Sequence, residues 1–167
     1  TENQYTLPRL HFGTSYNWKV IARNIFGEIE SDPFTFRTKL PTVQQQNVVG
    51  GQKVDSGKKL IKASDGGYIL VGNTQSSELE GFMGESDIIV AKLDKDLNVQ
   101  WIKLVGGKGW DEAADIKETN DGYVVLGYTL STDVDSQVNK GGWDYLLAKL
   151  DKSGNKQWVK LYGGSGH

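Results

Sequence analysis

Two stretches of this chain repeat each other nearly residue for residue. One is Asp87-Ile-Ile-Val-Ala-Lys-Leu-Asp-Lys-Asp-Leu-Asn-Val-Gln-Trp-Ile-Lys-Leu-Val-Gly-Gly107. The other is Asp144-Tyr-Leu-Leu-Ala-Lys-Leu-Asp-Lys-Ser-Gly-Asn-Lys-Gln-Trp-Val-Lys-Leu-Tyr-Gly-Gly164. A tandem repeat constrains the fold more than any local propensity does. Each copy must form the same unit, and neighbours must bury what one unit cannot bury alone. The likeness continues upstream. Residues 58–64 align with 113–119, and 65–74 align with 120–129. Only the loops 75–86 and 130–142 differ.

Each unit holds four short segments rich in Val, Ile, Leu, Tyr or Trp, the composition of strands. Turn residues separate them. Asp65-Gly66 and Asp121-Gly122 are hairpin signals, because glycine takes positive φ without steric cost. Asp94-Lys-Asp-Leu-Asn98 and Asp151-Lys-Ser-Gly-Asn155 are turns in which Asp and Asn bond their own backbone. Gly106-Gly107 and Gly163-Gly164 end each unit, where the chain crosses to the next. Four antiparallel strands in tandem predict an all-β chain built as β-propeller blades. Residues 43–51 begin Val-Gln and end Val-Val-Gly-Gly, as 99–107 begin Val-Gln and end Leu-Val-Gly-Gly. They read as a linker or as a degenerate outer strand with Gln45 in place of Trp101 and Trp158.

The opening differs. From Tyr16, the residues Tyr16, Trp18, Val20 and Ala22 alternate with Asn17, Lys19 and Arg23, the period of a half-buried strand. Asn24-Ile-Phe-Gly27 is a turn. Ser31-Asp-Pro-Phe-Thr-Phe-Arg-Thr38 is a further strand with Phe34 and Phe36 on one face, and Pro33 suits its start.

These residues, from Leu10 through Gly13-Thr14 and Tyr16 to Thr38, resemble the end of a fibronectin type III domain. The resemblance implies that Tyr16 is the corner tyrosine of such a sandwich. It covers about 40 residues of a module that needs roughly 90 to 100, so an apolar face is left to pack elsewhere. Asp65-Gly-Gly-Tyr-Ile-Leu-Val-Gly72 and Lys149-Leu-Asp-Lys-Ser-Gly-Asn-Lys-Gln-Trp-Val-Lys-Leu-Tyr-Gly-Gly164 resemble the kelch-like propeller repeats of secreted bacterial and archaeal proteins. That family occurs beside fibronectin III modules on surface proteins and mostly lacks an assigned activity. The implied division is 1–41 for the fibronectin-like strands, 42–54 for the linker or degenerate strand, and 55–109 and 110–167 for two blades. Closed propellers need roughly four to eight blades. Two blades expose sheet edges, which predicts a piece of a longer protein or copies that assemble through those edges. The opening on Thr1, without Met, points the same way.

Composition narrows the partners. A net charge of -2 points away from nucleic acid and anionic membrane surfaces. There is no cysteine for a disulfide framework or a thiolate metal site. No apolar run reaches the roughly 20 residues that span a bilayer. The expected partners are other surface proteins or glycans, in an extracellular or cell-surface setting, with no cofactor.

The candidate chemistry lies in the loops. His11 and His167 have neither metal-ligand spacing nor a nucleophile partner. Loops entering the first strand of a blade and loops between its second and third strands share one face. That gathers Trp110, Asp111 and Glu112 with the 78–85 loop and with Asp133 and Asp135. A paired-carboxylate hydrolase needs such a rim, and so does a solvated acidic edge. The first unit has Asp55-Ser56-Gly57 at the matching place. Asp94-Lys-Asp-Leu-Asn98 opens like a calcium loop, but Val99 and Val105 stand where the loop needs Gly and Glu, which favours a hairpin turn. Trp101 and Trp158 recur within strands and predict packing. Trp110 and Trp143 sit at loop–strand junctions and are open to ligand contact. The expectation is a non-catalytic module for adhesion, assembly or glycan contact, the alternatives being a carbohydrate-active enzyme that uses the rim and a self-assembling fragment.

Overall fold

A computed structural model describes residues 10, 11, 13–39 and 47–166. The chain divides into two compact units, 1–44 and 45–167. Every regular element among the described residues is a β-strand.

The first unit carries β1 (Ser15–Trp18), β2 (Ile21–Asn24), β3 (Gly27–Glu30) and β4 (Phe34–Arg37). The continuous alternation from Tyr16 to Ala22 predicts one strand, yet the structure has two. β1 pairs with β4 and β2 with β3, so the chain changes partner at Lys19-Val20. At the change, Val20 N donates to Ser31 Oγ at 3.0 Å and Ser31 N donates to Val20 O at 2.9 Å. Aromatic pairs lie across β1 and β4: Tyr16 stacks on Phe36 at 5.6 Å and Trp18 on Phe34 at 4.8 Å. Trp18 and Phe34 stay half exposed.

The second unit holds two four-stranded antiparallel sheets. The first is β5 (Asp55–Lys62), β6 (Tyr68–Thr74), β7 (Asp87–Leu93) and β8 (Val99–Val105). The second is β9 (Asp111–Thr119), β10 (Gly122–Thr129), β11 (Asp144–Asp151) and β12 (Lys156–Tyr162). In both, spatial order follows chain order. The register repeats as well. Tyr68 pairs with Leu93 as Tyr123 pairs with Leu150, and Asn73 pairs with Ile88 as Tyr128 pairs with Tyr145.

One alignment shifts. Five residues lie between the paired Lys62 and Tyr68, but four between Glu118 and Tyr123. Leu60, which pairs with Leu70, therefore stands where Ile116 pairs with Val125. Aligned without a gap, 58–64 on 113–119, the sequence matches Ile61 to Ile116 instead. The extra residue sits in the Asp65-Gly66-Gly67 turn, where Gly66 has φ +88° and Asp65 Oδ1 accepts the Gly67 N–H at 2.9 Å.

The sheets face each other across one core. Ile69, Val71, Ile88, Val90 and Val105 of the first meet Ile116, Tyr123, Val125, Leu146, Ala148 and Leu150 of the second. Each of these is almost wholly buried, and alternation along the strands selects them. Trp101 packs beside Tyr123 with ring centroids 6.0 Å apart. Polar groups also fix the pairing of the sheets. Asn73 Oδ1 accepts the Ala113 N–H at 2.7 Å, and Lys59 Nζ lies 3.0 Å from Asp115 Oδ1.

Buried lysines recur too. Lys92 Nζ lies 2.8 Å from Asp65 Oδ2, and Lys149 Nζ lies 2.6 Å from Asp121 Oδ1. Each ties the third strand of its sheet to the turn between the first two.

Candidate functional site

The loops that enter the two sheets are built alike. After Gly50-Gly51 and after Gly106-Gly107 come three residues and then an aspartate, Asp55 or Asp111, that opens the strand. Asp55 Oδ2 accepts the Gly51 N–H at 2.9 Å, and Asp111 Oδ2 accepts the Gly107 N–H at 2.8 Å. The next amides turn to the loop between the second and third strands. Gln52 N donates to Glu78 Oε1 as Lys108 N donates to Asp133 Oδ1. Lys53 N donates to Ser76 Oγ at 3.0 Å, and Trp110's neighbour Gly109 donates to Ser131 Oγ at 2.8 Å. Each serine in turn donates to its aspartate, at 3.2 Å from Ser76 to Asp55 and 2.8 Å from Ser131 to Asp111.

The network explains a motif that reading strands and turns passes over. Thr74-Gln-Ser-Ser-Glu78 and Thr129-Leu-Ser-Thr-Asp133 share Thr-x-Ser-x-acid, at the start of loops that otherwise differ. In each, the threonine hydroxyl accepts the serine N–H, at 3.0 and 2.9 Å. The repeat carried the signal, and the variable loop lengths around it hid it.

The 107–110 loop touches the loops on either side of it. Trp110 Nε1 donates to Glu85 Oε2, and Asp133 is held by the Lys108 amide and ammonium. Asp135, with φ +47°, lies 2.5 Å from Lys156 Nζ. Trp110 and Trp143 are partly exposed. Glu112 pairs across the strands with Tyr128. Asp111 is not on the rim, because its side chain is wholly buried behind Gly107 and Ser131.

Two other aspartates share this environment. Asp87 and Asp144 open β7 and β11, and both are buried. Asp87 Oδ2 accepts the Met83 N–H at 2.8 Å, and Asp144 Oδ2 accepts the Lys140 N–H at 2.9 Å. A Cβ placed on Gly106 would sit 2.7 Å from Asp87 Oδ1 and 2.6 Å from Asp111 Oδ2, so only glycine fits between them. Burial, then the nearby Asp111 charge, pushes Asp87 up to about 6 against hydrogen bonds that pull it down. Burial also raises Asp111, against its hydrogen bonds. The Lys108 amide holds Asp133 below the ordinary carboxylate value.

Chemically, this face caps loops. Asp111 accepts amide and hydroxyl protons of its own fold and is closed to solvent. The Asp94 and Asp151 turns use their carboxylates the same way. Asp94 accepts the Asp96 and Asn98 amides at 2.8 Å each, and Asp151 accepts those of Ser153 and Asn155 at 2.8 and 2.9 Å. Among the described residues no group of three or more His, Cys, Asp or Glu is placed to hold a metal ion. No helix among them is long and apolar enough to cross a membrane. The chain matches no protein-family model and no curated protein.

Proposed function

We propose that the chain is a non-catalytic structural and interaction module of a secreted or surface-anchored prokaryotic protein, in contact with other surface proteins or glycans. In this reading the two sheets are propeller blades, and residues 13–39 are the last strands of a fibronectin III-like sandwich. The observation that carries it is the burial of Asp111 within a capping network that Asp55 duplicates. A catalytic acid is needed once, at one substrate. A group that recurs in each unit with the same backbone partners is scaffolding.

Two further contacts support the architecture. Tyr16 Oη accepts the His11 N–H at 2.8 Å, a bond back to upstream backbone of the kind a corner tyrosine makes. Asn47 Nδ2 donates to Leu97 O at 2.6 Å, where Leu97 is the counterpart of Gly154. Lys103, the counterpart of Asn47, lies against Gly154, where an added Cβ would meet its Cγ at 3.0 Å. In this reading residues 47–51 stand for the end of an outer strand, and residues 43–46 lie outside the described set.

The test is an activity screen against a panel of soluble polysaccharides. The expectation is no turnover above buffer. Turnover that disappears in Asp133→Asn or Glu112→Gln would replace this reading with a carbohydrate-active enzyme.

A further inference from the structure

The internal sheet pair works by a knob and a hollow. Ile88 of β7 projects onto Gly127 of β10, where an added Cβ would meet Ile88 Cδ1 at 2.5 Å. Gly127 pairs with Ala113 of β9, so the floor under Ile88 is one glycine and one alanine. The register gives each of these residues a counterpart on the face its own sheet turns outward. Tyr145 is the counterpart of Ile88, since each pairs with the residue after the buried glycine's position on the neighbouring strand, Tyr128 or Asn73. Gly72 and Gly57, which pair with each other, are the counterparts of Gly127 and Ala113.

The two outward faces therefore differ from the internal pair in opposite senses. On the second sheet the knob has grown from isoleucine to tyrosine. Tyr128, Tyr145 and Tyr162 are neighbours across β10, β11 and β12, exposed to 38%, 54% and 50%. On the first sheet the floor has shrunk from alanine to glycine. A groove of about 480 Å³ opens there, lined by Gly57, Leu60, Leu70, Ile89, Leu93 and Leu97. Charge agrees with size. Lys59 and Asp115 hold equivalent positions, paired with Val71 and Leu126, and they attract each other within the chain. Stacking the second sheet of one copy on the first sheet of another places Asp115 beside Lys59 again.

We propose that copies of this chain associate head to tail, the tyrosine row of one seated on the glycine-floored groove of the next. This rests on the reading of the chain as an interaction module, and names its partner as a second copy. The contact is face to face and heterologous, unlike pairing through sheet edges. Residues 47–49 border the groove on its Leu97 side. Asn47 holds the Leu97 carbonyl there, so the proposed association requires residues 47–49 to give way to β12 of the incoming sheet.

Light scattering across a concentration series tests the proposal with two variants on opposite faces. Tyr145→Ser removes the knob. Gly57→Leu fills the hollow, and the fold has room for it, since an added Cβ meets only Leu70 Cδ1 at 3.8 Å. The wild type is expected to rise in mass with concentration. Each variant is expected to associate at least tenfold more weakly while keeping the wild-type circular dichroism. An equimolar mixture of the two retains one intact knob and one intact hollow, and should recover a dimer. A monomeric wild type, an oligomer that both variants leave intact, or a mixture that stays monomeric would each overturn it. If either variant misfolds, Tyr128→Ser and Gly57→Val take their places. All these outcomes are independent of the polysaccharide screen, so each reading fails separately.

Discussion

Asp111 accepts the Gly107 N–H at 2.8 Å, four residues before it, and does so from complete burial. One bond joins the end of the first sheet to the start of the second. The same bond from Gly51 to Asp55 precedes the first sheet, so the entries to the two sheets are built alike. A rigid crossing is what lets a repeat hold one face against the next.

Ser131 is the hinge of that crossing, bonded to both Gly109 N and Asp111 Oδ2. Ser131→Ala leaves a part-buried amide and a buried carboxylate oxygen short of a partner. Urea unfolding should show a loss of about 1–3 kcal/mol. A variant as stable as the wild type would mean that water replaces the hydroxyl.

Lys149 is buried while its partner Asp121 is mostly exposed. Removing the partner of a buried charge costs more than removing the charge itself. Asp121→Ala should lower the melting temperature, and Lys149→Met should lower it by clearly less. The reverse order in thermal unfolding would show that Thr119, the other group at the ammonium, is sufficient.

Asp87 sets a pH dependence. Its folded pKa is about 6, against 3.8 ordinarily, so the native state holds a proton that the unfolded chain has lost. The sign follows: stability from this group is present below about pH 4 and is lost as pH rises through about 6. Carboxylates held low, Asp65 and Asp121 among them, act oppositely and below that window. Asp87→Asn should raise stability at pH 7 by up to about 3 kcal/mol and flatten the profile between pH 4 and 7. Parallel wild-type and variant profiles across that range would refute the assignment.

Leu97 and Gly154 hold the same turn position, at φ +63° and +81°. A left-handed backbone costs a branched residue about 1–2 kcal/mol, and asparagine less. Leu97→Asn should stabilise by about 0.5–1 kcal/mol. Gly154→Leu should destabilise by about 2–4 kcal/mol, because it adds the backbone cost to overlap with Trp101, 2.9 Å from the added Cβ. Equal and small effects would mean that the turn relaxes freely.

The repeat made the four strands per unit, their order and their turns legible before any coordinates. Strand patterning is local: alternation, Asp-Gly turns and Gly-Gly endings are read within a few residues. What the chain's order could not supply is which face of each strand looks inward. Val71 and Leu126 share a position, yet one is wholly buried and the other lines an outward face, because only the first has a sheet packed on it. The same holds for Asp111, a loop carboxylate by pattern and a buried cap in three dimensions. Its partners Gly107 and Ser131 lie 4 and 20 residues away and meet only when the loops of two strands close over it. Burial and partner are properties of the assembled sheets, and the tertiary structure alone decided them.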